Sequence, residues 1–156
     1  MPTAVGKKME MPESREETLS RVMEILGVTK RRGWALNDVV RKIHAGLPYK
    51  SLENVSAALD LDDKAIADLL GTSTRTIARR KKEKKLSPDE SDRLVRLARI
   101  LELAEEVFED RENAREWLRD PNPALNMETP LGLLDTDIGA RRVEEILMRI
   151  EYGVYS

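Results

Sequence analysis

Between Ala67 and Lys82 the chain reads Ala-Asp-Leu-Leu-Gly-Thr-Ser-Thr-Arg-Thr-Ile-Ala-Arg-Arg-Lys-Lys, and this spacing admits few local shapes. Two short helices that cross closely need a small residue in the first and a turn residue that tolerates positive φ. They also need an apolar residue that anchors the second helix inward. Ala67, Gly71 and Ile77 supply these in order, with Ile66, Leu69 and Leu70 packing the first helix. Ser73 is placed to cap the second helix, which leaves Thr74 and Arg75 in its first turn. The stretch from about 64 to 85 therefore predicts a helix-turn-helix.

The second helix of that unit is strongly basic. The whole chain carries a net charge of −2, but the charge is segregated. Residues 1–70 are neutral, 71–86 carry +6 and 87–156 carry −8. A phosphate backbone senses the local field within a Debye length of ~10 Å, so the +6 segment outweighs the chain average. On a wheel of ~100° per residue with Ile77 inward, Arg75, Arg79 and Lys82 project outward together. Arginines in that position can grip guanine edges in the major groove. Arg80, Lys81, Lys84 and Lys85 fall towards the flank, where phosphate contacts are expected. Ser73, Thr74, Arg75, Arg79, Arg80 and Lys82 are thus the candidate DNA-binding residues. A single unit of this kind binds weakly, so specific binding implies a homodimer or higher oligomer on half-sites about one helical turn apart. The alternative for a charged helix is self-association against the acidic 87–156 surface of another subunit.

The rest of the chain is organised by helical periodicity. Residues 1–12 are polar with two prolines and are expected to form a flexible tail. Leu19, Val22, Met23 and Leu26 lie at helical spacing before Gly27, and Lys30-Arg31-Arg32-Gly33 reads as a loop. Asn37 is the expected cap of a helix bearing Val39, Val40 and Ile43 and ending at Gly46. His44 on that helix is expected to be partly buried and hydrogen-bonded, since no second metal ligand lies near it. After Leu47-Pro48, Ser51 opens a helix with Leu52, Val55, Ala58 and Leu59, and Asp62 or Asp63 caps the next. Ser87-Pro88-Asp89-Glu90 is a capping box with proline in the first turn, opening a long helix through Leu94, Leu97, Ala98, Leu101, Ala104 and Phe108. A short helix through Ala114, Trp117 and Leu118 stops at Pro121 and Pro123, Thr129-Pro130 caps a turn over Leu131–Leu134, and a last helix runs from about Ile138 to Glu151. No period-two run of β-branched residues suggests a strand. The expected fold is all-α: a helical domain over 13–86 containing the helix-turn-helix, a connecting helix over 87–108, and a small α-helical domain over 109–156.

Composition narrows the chemistry. Cysteine is absent, which removes disulfides, thiol nucleophiles and thiolate metal sites, and His44 is the lone histidine. No metal set, phosphate loop or catalytic nucleophile emerges, so the residues point away from an enzyme and imply no cofactor. No apolar run approaches the ~18 residues of a membrane span, and a cytoplasmic setting is expected. Halves of this size are marginal alone, which favours oligomers.

In the last helix Val143, Ile146, Leu147 and Ile150 form a core stripe, whereas Arg141, Glu145, Met148 and Tyr152 share the opposite face. An exposed Met and Tyr on a charged face suggest a partner surface, and Gly153 is followed by the apolar-aromatic Val154-Tyr155-Ser156.

Several runs here resemble the Xre/MbcA/ParS antitoxin family and its C-terminal toxin-binding domain. They are Trp117-Leu118-Arg119-Asp120-Pro121-Asn122-Pro123-Ala124-Leu125, Thr129-Pro130-Leu131-Gly132-Leu133-Leu134-Asp135-Thr136, Gly139-Ala140-Arg141-Arg142-Val143-Glu144 and Arg149 to Ser156. Upstream, Thr76-Ile77-Ala78-Arg79-Arg80 and Leu86 to Leu94 match as well, so the likeness covers about 45–156 and leaves 1–44 open. The resemblance implies an antitoxin of a type II toxin–antitoxin system. Its partner would be a RES-domain toxin, or a related ADP-ribosyltransferase-like toxin, that consumes or uses NAD. The C-terminal domain would cover the toxin's active-site entrance, and the helix-turn-helix would repress the operon. On this resemblance Arg149, Tyr152, Gly153, Val154, Tyr155 and Ser156 face the toxin, joined by Met148 and Arg141 on the same helix face. Gly139, Arg142, Pro130 and Leu131 become framework or nearby contacts. An aromatic ring and a terminal carboxylate in that tail could fill an NAD pocket. A plain dimeric helix-turn-helix regulator without a toxin partner is the alternative.

Overall fold

A computed structural model describes residues 15–29 and 33–153, so the expected tail 1–12, most of the Lys30–Gly33 loop, and Val154-Tyr155-Ser156 lie outside the described residues. Eight α-helices follow one another among the described residues: α1 Arg15–Ile25, α2 Leu36–Ala45, α3 Tyr49–Leu59, α4 Asp63–Leu69, α5 Thr74–Glu83, α6 Pro88–Phe108, α7 Arg111–Arg119 and α8 Asp137–Glu151. Short 3-10 turns at Pro123–Leu125 and Leu131–Leu133 join α7 to α8. No described segment forms a strand. Among the described residues the only extended pairing is an isolated bridge between Pro48 and Lys85, where Tyr49 N–H donates to Lys84 O (3.1 Å) and Leu86 N–H to Leu47 O (2.9 Å).

The helix expected to connect the two domains lies at the centre of the core they share. Leu94, Leu97, Ala98, Leu101 and Ala104 of α6 are fully buried, and α1, α2, α3, α7 and α8 all pack against it. The capping box forms as the sequence predicts: Glu90 N–H donates to Ser87 Oγ (3.2 Å) and Ser87 N–H to Glu90 Oε1 (2.8 Å). Glu109, with φ +56, ends α6, and Asp110 caps α7 by accepting from Asn113 N–H at 3.0 Å. Part of the acidic end of α6 is thus a helix start.

Two arginines of α7 close the C-terminal end of α3. Arg115 Nε donates to Ala58 O (3.0 Å), and Arg119 Nη1 pairs with Asp60 Oδ2 (3.0 Å). The end of α3 needs such partners, because its last carbonyls have none within the helix. Arg21 of α1 reaches Glu102 of α6 at 2.7 Å.

Four expectations are corrected. Helix α2 starts at Leu36 with Ala35 as its cap, and Asp38 at the third position accepts from Ala35 N–H at 3.1 Å; Asn37 lies inside the helix. Helix α3 begins at Tyr49 directly after Pro48, because Tyr49 is buried and Ser51 is already in the first turn with its hydroxyl buried. Val40 of the α2 stripe is exposed, since the core face of this helix is narrow and served by Val39 and Ile43. His44 is also exposed rather than partly buried.

Because α6 serves both ends of the chain, unfolding should be one event. Trp34 and Trp117 lie in opposite halves. Leu101→Ala is expected to remove about 2–5 kcal/mol. Single-tryptophan variants Trp34→Phe and Trp117→Phe, each in the Leu101→Ala background, should report the same shifted urea midpoint by fluorescence. Two separated midpoints would show independent halves.

Candidate functional site

Helices α4 and α5 meet at the turn Leu70–Ser73. Asp62 caps α4 through Ala65 N–H (2.8 Å), and Ser73 caps α5 through Thr76 N–H (3.1 Å). Ala67 and Ile77 are buried, as close crossing requires. Gly71 adopts φ +66, and a Cβ there would collide with the Arg93 guanidinium. That guanidinium comes from α6 and donates to Leu70 O at 2.6 Å, closing the end of α4.

Helix α5 is almost bare. Ile77 is its one buried residue; Arg75, Arg79 and Lys82 are exposed on the side away from it, and Thr74 is exposed in the first turn. Ser73 caps the helix at its exposed start, and Lys81, Lys84 and Lys85 are exposed around its C-terminal end. Arg79 Nε lies 3.8 Å from Glu83, a loose exposed pair of little energetic weight.

Arg80 differs from the other basic residues of this helix. Its side chain is only 19% exposed, its Nε donates to Glu90 Oε1 at 2.8 Å and its Nη1 to Glu83 Oε2 at 3.0 Å. Arg80 therefore turns inward into an ion pair, where the wheel had placed it towards the phosphate flank. The wheel could not reveal this, because the partner lies ten residues on, across the turn into α6. Glu90 and Arg93 are the site residues that sequence reasoning missed. They stand one helical turn apart on α6, and each reaches back to one helix of the pair. Burial pushes the Glu90 carboxyl up, but hydrogen bonds from Arg80 and Ser87 outweigh it and hold the group below its ordinary 4.5.

The second surface lies on α8. Val143, Ile146 and Leu147 are buried and Ile150 is half-buried. On the other face Met148 is 37% and Tyr152 is 70% exposed. They line a shallow apolar groove of about 470 Å³ with Arg141, Glu144, Glu145 and Arg149. A second hollow, about 300 Å³ between α6 and α8, shares Glu144, Met148 and Tyr152. The charges beside them are paired along the helix: Arg141 with Asp137 and Arg149 with Glu145, both at 2.8 Å. Thr136 caps α8 through Gly139 N–H (3.0 Å), and a Cβ on Gly139 would strike Leu133 O, so α8 sits tightly on the 3-10 turn. Gly139 and the buried Pro130 are framework. The structure thus brings Arg141, Met148, Arg149 and Tyr152 together, with Gly153 exposed just beyond.

A larger cleft, about 720 Å³, lies elsewhere, between α1, α3, α6 and α7 around the Arg21–Glu102 pair. Burial pushes Glu102 above its ordinary value. Among the described residues no group of three or more His, Cys, Asp or Glu side chains converges to hold a metal, and no helix is long and apolar enough to cross a membrane.

The two buried glutamates impose opposite pH dependences. A depressed folded pKa gives stability present above 4.5 and lost as pH falls through the folded value, which is the case of Glu90. For Glu102 the raised folded value disfavours the charged form, so protonation on acidification restores stability. Glu90→Gln should lower the melting temperature at neutral pH, and the difference from wild type should shrink below pH 4.5; Glu102→Gln should change the acid limb in the opposite sense. Melts by circular dichroism across about pH 3–7 check both signs.

Both parts of the chain match known proteins. Residues 38–99 match the antitoxin Xre-like helix-turn-helix domain, and residues 103–153 match the antitoxin Xre/MbcA/ParS C-terminal toxin-binding domain. An Antitoxin Xre of Photorhabdus laumondii is 30% identical over 133 residues, covering 84% of this chain and 88% of that protein. A Prs ADP-ribosylating antitoxin of Sphingobium is 30% identical over 129 residues, covering 76% and 81%. A chain in the crystal structure of the M. tuberculosis MbcT–MbcA toxin–antitoxin complex shares the fold, with a TM-score of 0.53 at 24% identity over 69% of this chain and 96% of that one. With a helix-turn-helix domain and a C-terminal toxin-binding domain matched along the chain, and with relatives alike over most of their length, the chain belongs to the Xre/MbcA/ParS family of antitoxins.

Proposed function

We propose that this antitoxin neutralises a NAD-using toxin of the RES type by occluding its active site, and that it represses its own operon as a homodimer. The observation that carries the toxin half is the exposed pair Met148 and Tyr152 at the end of the matched toxin-binding segment. Soft and aromatic side chains beside a shallow apolar groove are what a protein partner buries most readily. The chain continues from there into Val154-Tyr155-Ser156, a segment short and apolar enough to enter a substrate pocket. The Sphingobium relative's name associates that protein with ADP-ribosylation. Carried to this chain, it favours a partner that handles NAD. The net −8 of residues 87–156 would speed encounter with a basic toxin face.

Thr74, Arg75, Arg79 and Lys82 are the proposed reading residues for operator DNA, with Ser73 at the helix start. Lys81, Lys84 and Lys85 are proposed to meet phosphates. Two copies are required because one short helix reads few base pairs.

For the toxin half, deletion of Glu151–Ser156 should abolish inhibition when NAD consumption by the co-expressed neighbouring gene product is followed. The circular dichroism spectrum should be unchanged. Full inhibition by the truncated protein would sink the occlusion mechanism. Failure of the full chain to capture that product in a pull-down would leave a plain helix-turn-helix regulator.

For the DNA half, Arg75→Ala should weaken binding at one operator position by roughly 1–3 kcal/mol, whereas Lys81→Ala should weaken specific and random duplexes alike. Binding titrations against single-base operator variants separate the two. Equal losses on all sequences for Arg75→Ala would remove it from the reading set.

A further inference from the structure

We propose that Arg80 and Glu90 form a strut that sets the orientation of α5 on DNA, making them positioning residues for sequence reading rather than contacts to the phosphate backbone. The inference rests on the DNA half of the function proposed above and adds a role to two residues of that surface.

A helix held by one apolar residue can tilt and roll about that point. Ile77 is the one buried residue of α5, a helix of ten residues. Three positions on, Arg80 supplies a second fixed point. Its Nε donates to Glu90 Oε1 at 2.8 Å, and the same oxygen accepts Ser87 N–H at 2.8 Å. One carboxylate oxygen therefore joins the side of α5 to the first turn of α6. The pair is shielded, with side-chain exposures of 19% and 7%. Nη1 of Arg80 also holds Glu83, one turn along α5. Buried ion pairs contribute little net stability, but they fix geometry, because any other arrangement leaves a desolvated charge unpartnered. Groove reading needs that geometry: Arg75, Arg79 and Lys82 must present their groups to base edges together, and bidentate contacts tolerate little rotation. Phosphate contacts tolerate more, so the strut should govern specificity rather than overall affinity.

The test compares a duplex from upstream of the protein's own gene with a random duplex of equal length, by fluorescence anisotropy over a range of salt. Arg80→Lys is the decisive variant. It keeps the positive charge a phosphate would need but loses the planar fork that holds Glu90 and Glu83 together. The strut predicts that Arg80→Lys, Arg80→Gln and Glu90→Gln each weaken binding to the upstream duplex about tenfold or more. Random-duplex affinity should fall less than about twofold, with an unchanged salt slope. If Arg80 is a phosphate contact, Arg80→Lys behaves as wild type. Arg80→Gln then weakens both duplexes together, and the salt slope drops by about 0.9. That pattern overturns the proposal. Circular dichroism melts check folding, and should Arg80→Gln fail to fold, Arg80→Lys and Glu90→Gln decide alone. A wild-type protein that does not distinguish the two duplexes removes the DNA reading itself and the strut with it. Wild-type discrimination that survives all three substitutions removes only the strut.

Discussion

The molecule depends on the burial of α6. Most long helices of small proteins bury one stripe and leave the opposite side wet. In α6 the buried set Leu94, Val95, Leu97, Ala98, Ile100, Leu101 and Ala104 covers more than one face. Helices from both ends of the chain supply the covering surfaces. Each half of the chain is small enough that a core of its own would be marginal. Sharing α6 resolves that shortage. It also ties the two matched segments to one another, and Arg115 and Arg119 of α7 reinforce the tie by closing the end of α3.

That arrangement explains how so polar a helix as α5 can exist. Seven basic residues within 71–86 repel one another, and a single buried isoleucine cannot offset that repulsion by packing. The helix instead depends on directed contacts: the Ser73 cap at its start, the Arg80–Glu90 pair on its side and the Leu47–Leu86 backbone bond just after its end. Gly71 belongs to the same set. Its positive φ turns the chain, and its missing side chain leaves room for Arg93 to reach Leu70 O. A strongly charged surface is therefore built from polar constraints that begin on α6.

What was legible in the sequence follows from the range of the interactions. Helix periods and local caps act within four residues, so Gly27, Asp62, Ser73 and Ser87 could be read or nearly read from composition and spacing. Ala67, Gly71 and Ile77 were legible for the same reason. The misplaced start of α2 has a local cause too: Asp38 caps from inside the helix, reaching back to Ala35, so the residue expected to cap was one position off the one that does the work. The inward turn of Arg80 was not legible, since its partner is reached only after the chain reverses. Nor was the centrality of α6, whose Val95 and Ile100 widen its buried face, with helices from both ends of the chain packed on it. Val40 and His44 mislead in the other direction, because a helix at the edge of a core buries a narrower stripe than its period allows.

The surface on α8 follows a different logic from that on α5. Arg141 and Arg149 are matched by Asp137 and Glu145 on the same helix, so the face is electrostatically quiet despite its charge density. Exposed pairs of this kind add little stability and screen readily. Their effect is to keep soluble a face whose remaining features, Met148 and Tyr152, are apolar and unpartnered within the chain's own core. A partner that covers this face need not strip isolated charges of water to reach those two residues, because each arginine already carries its counter-charge. Affinity would then come from the apolar pair and whatever follows Gly153, with charge setting the rate of approach. On α5 the proposed weighting is reversed: there the arginines would be the contact groups, and Ile77 would hold them out. One chain can carry both kinds of surface because α6 anchors each from the inside, leaving the outer faces free to differ.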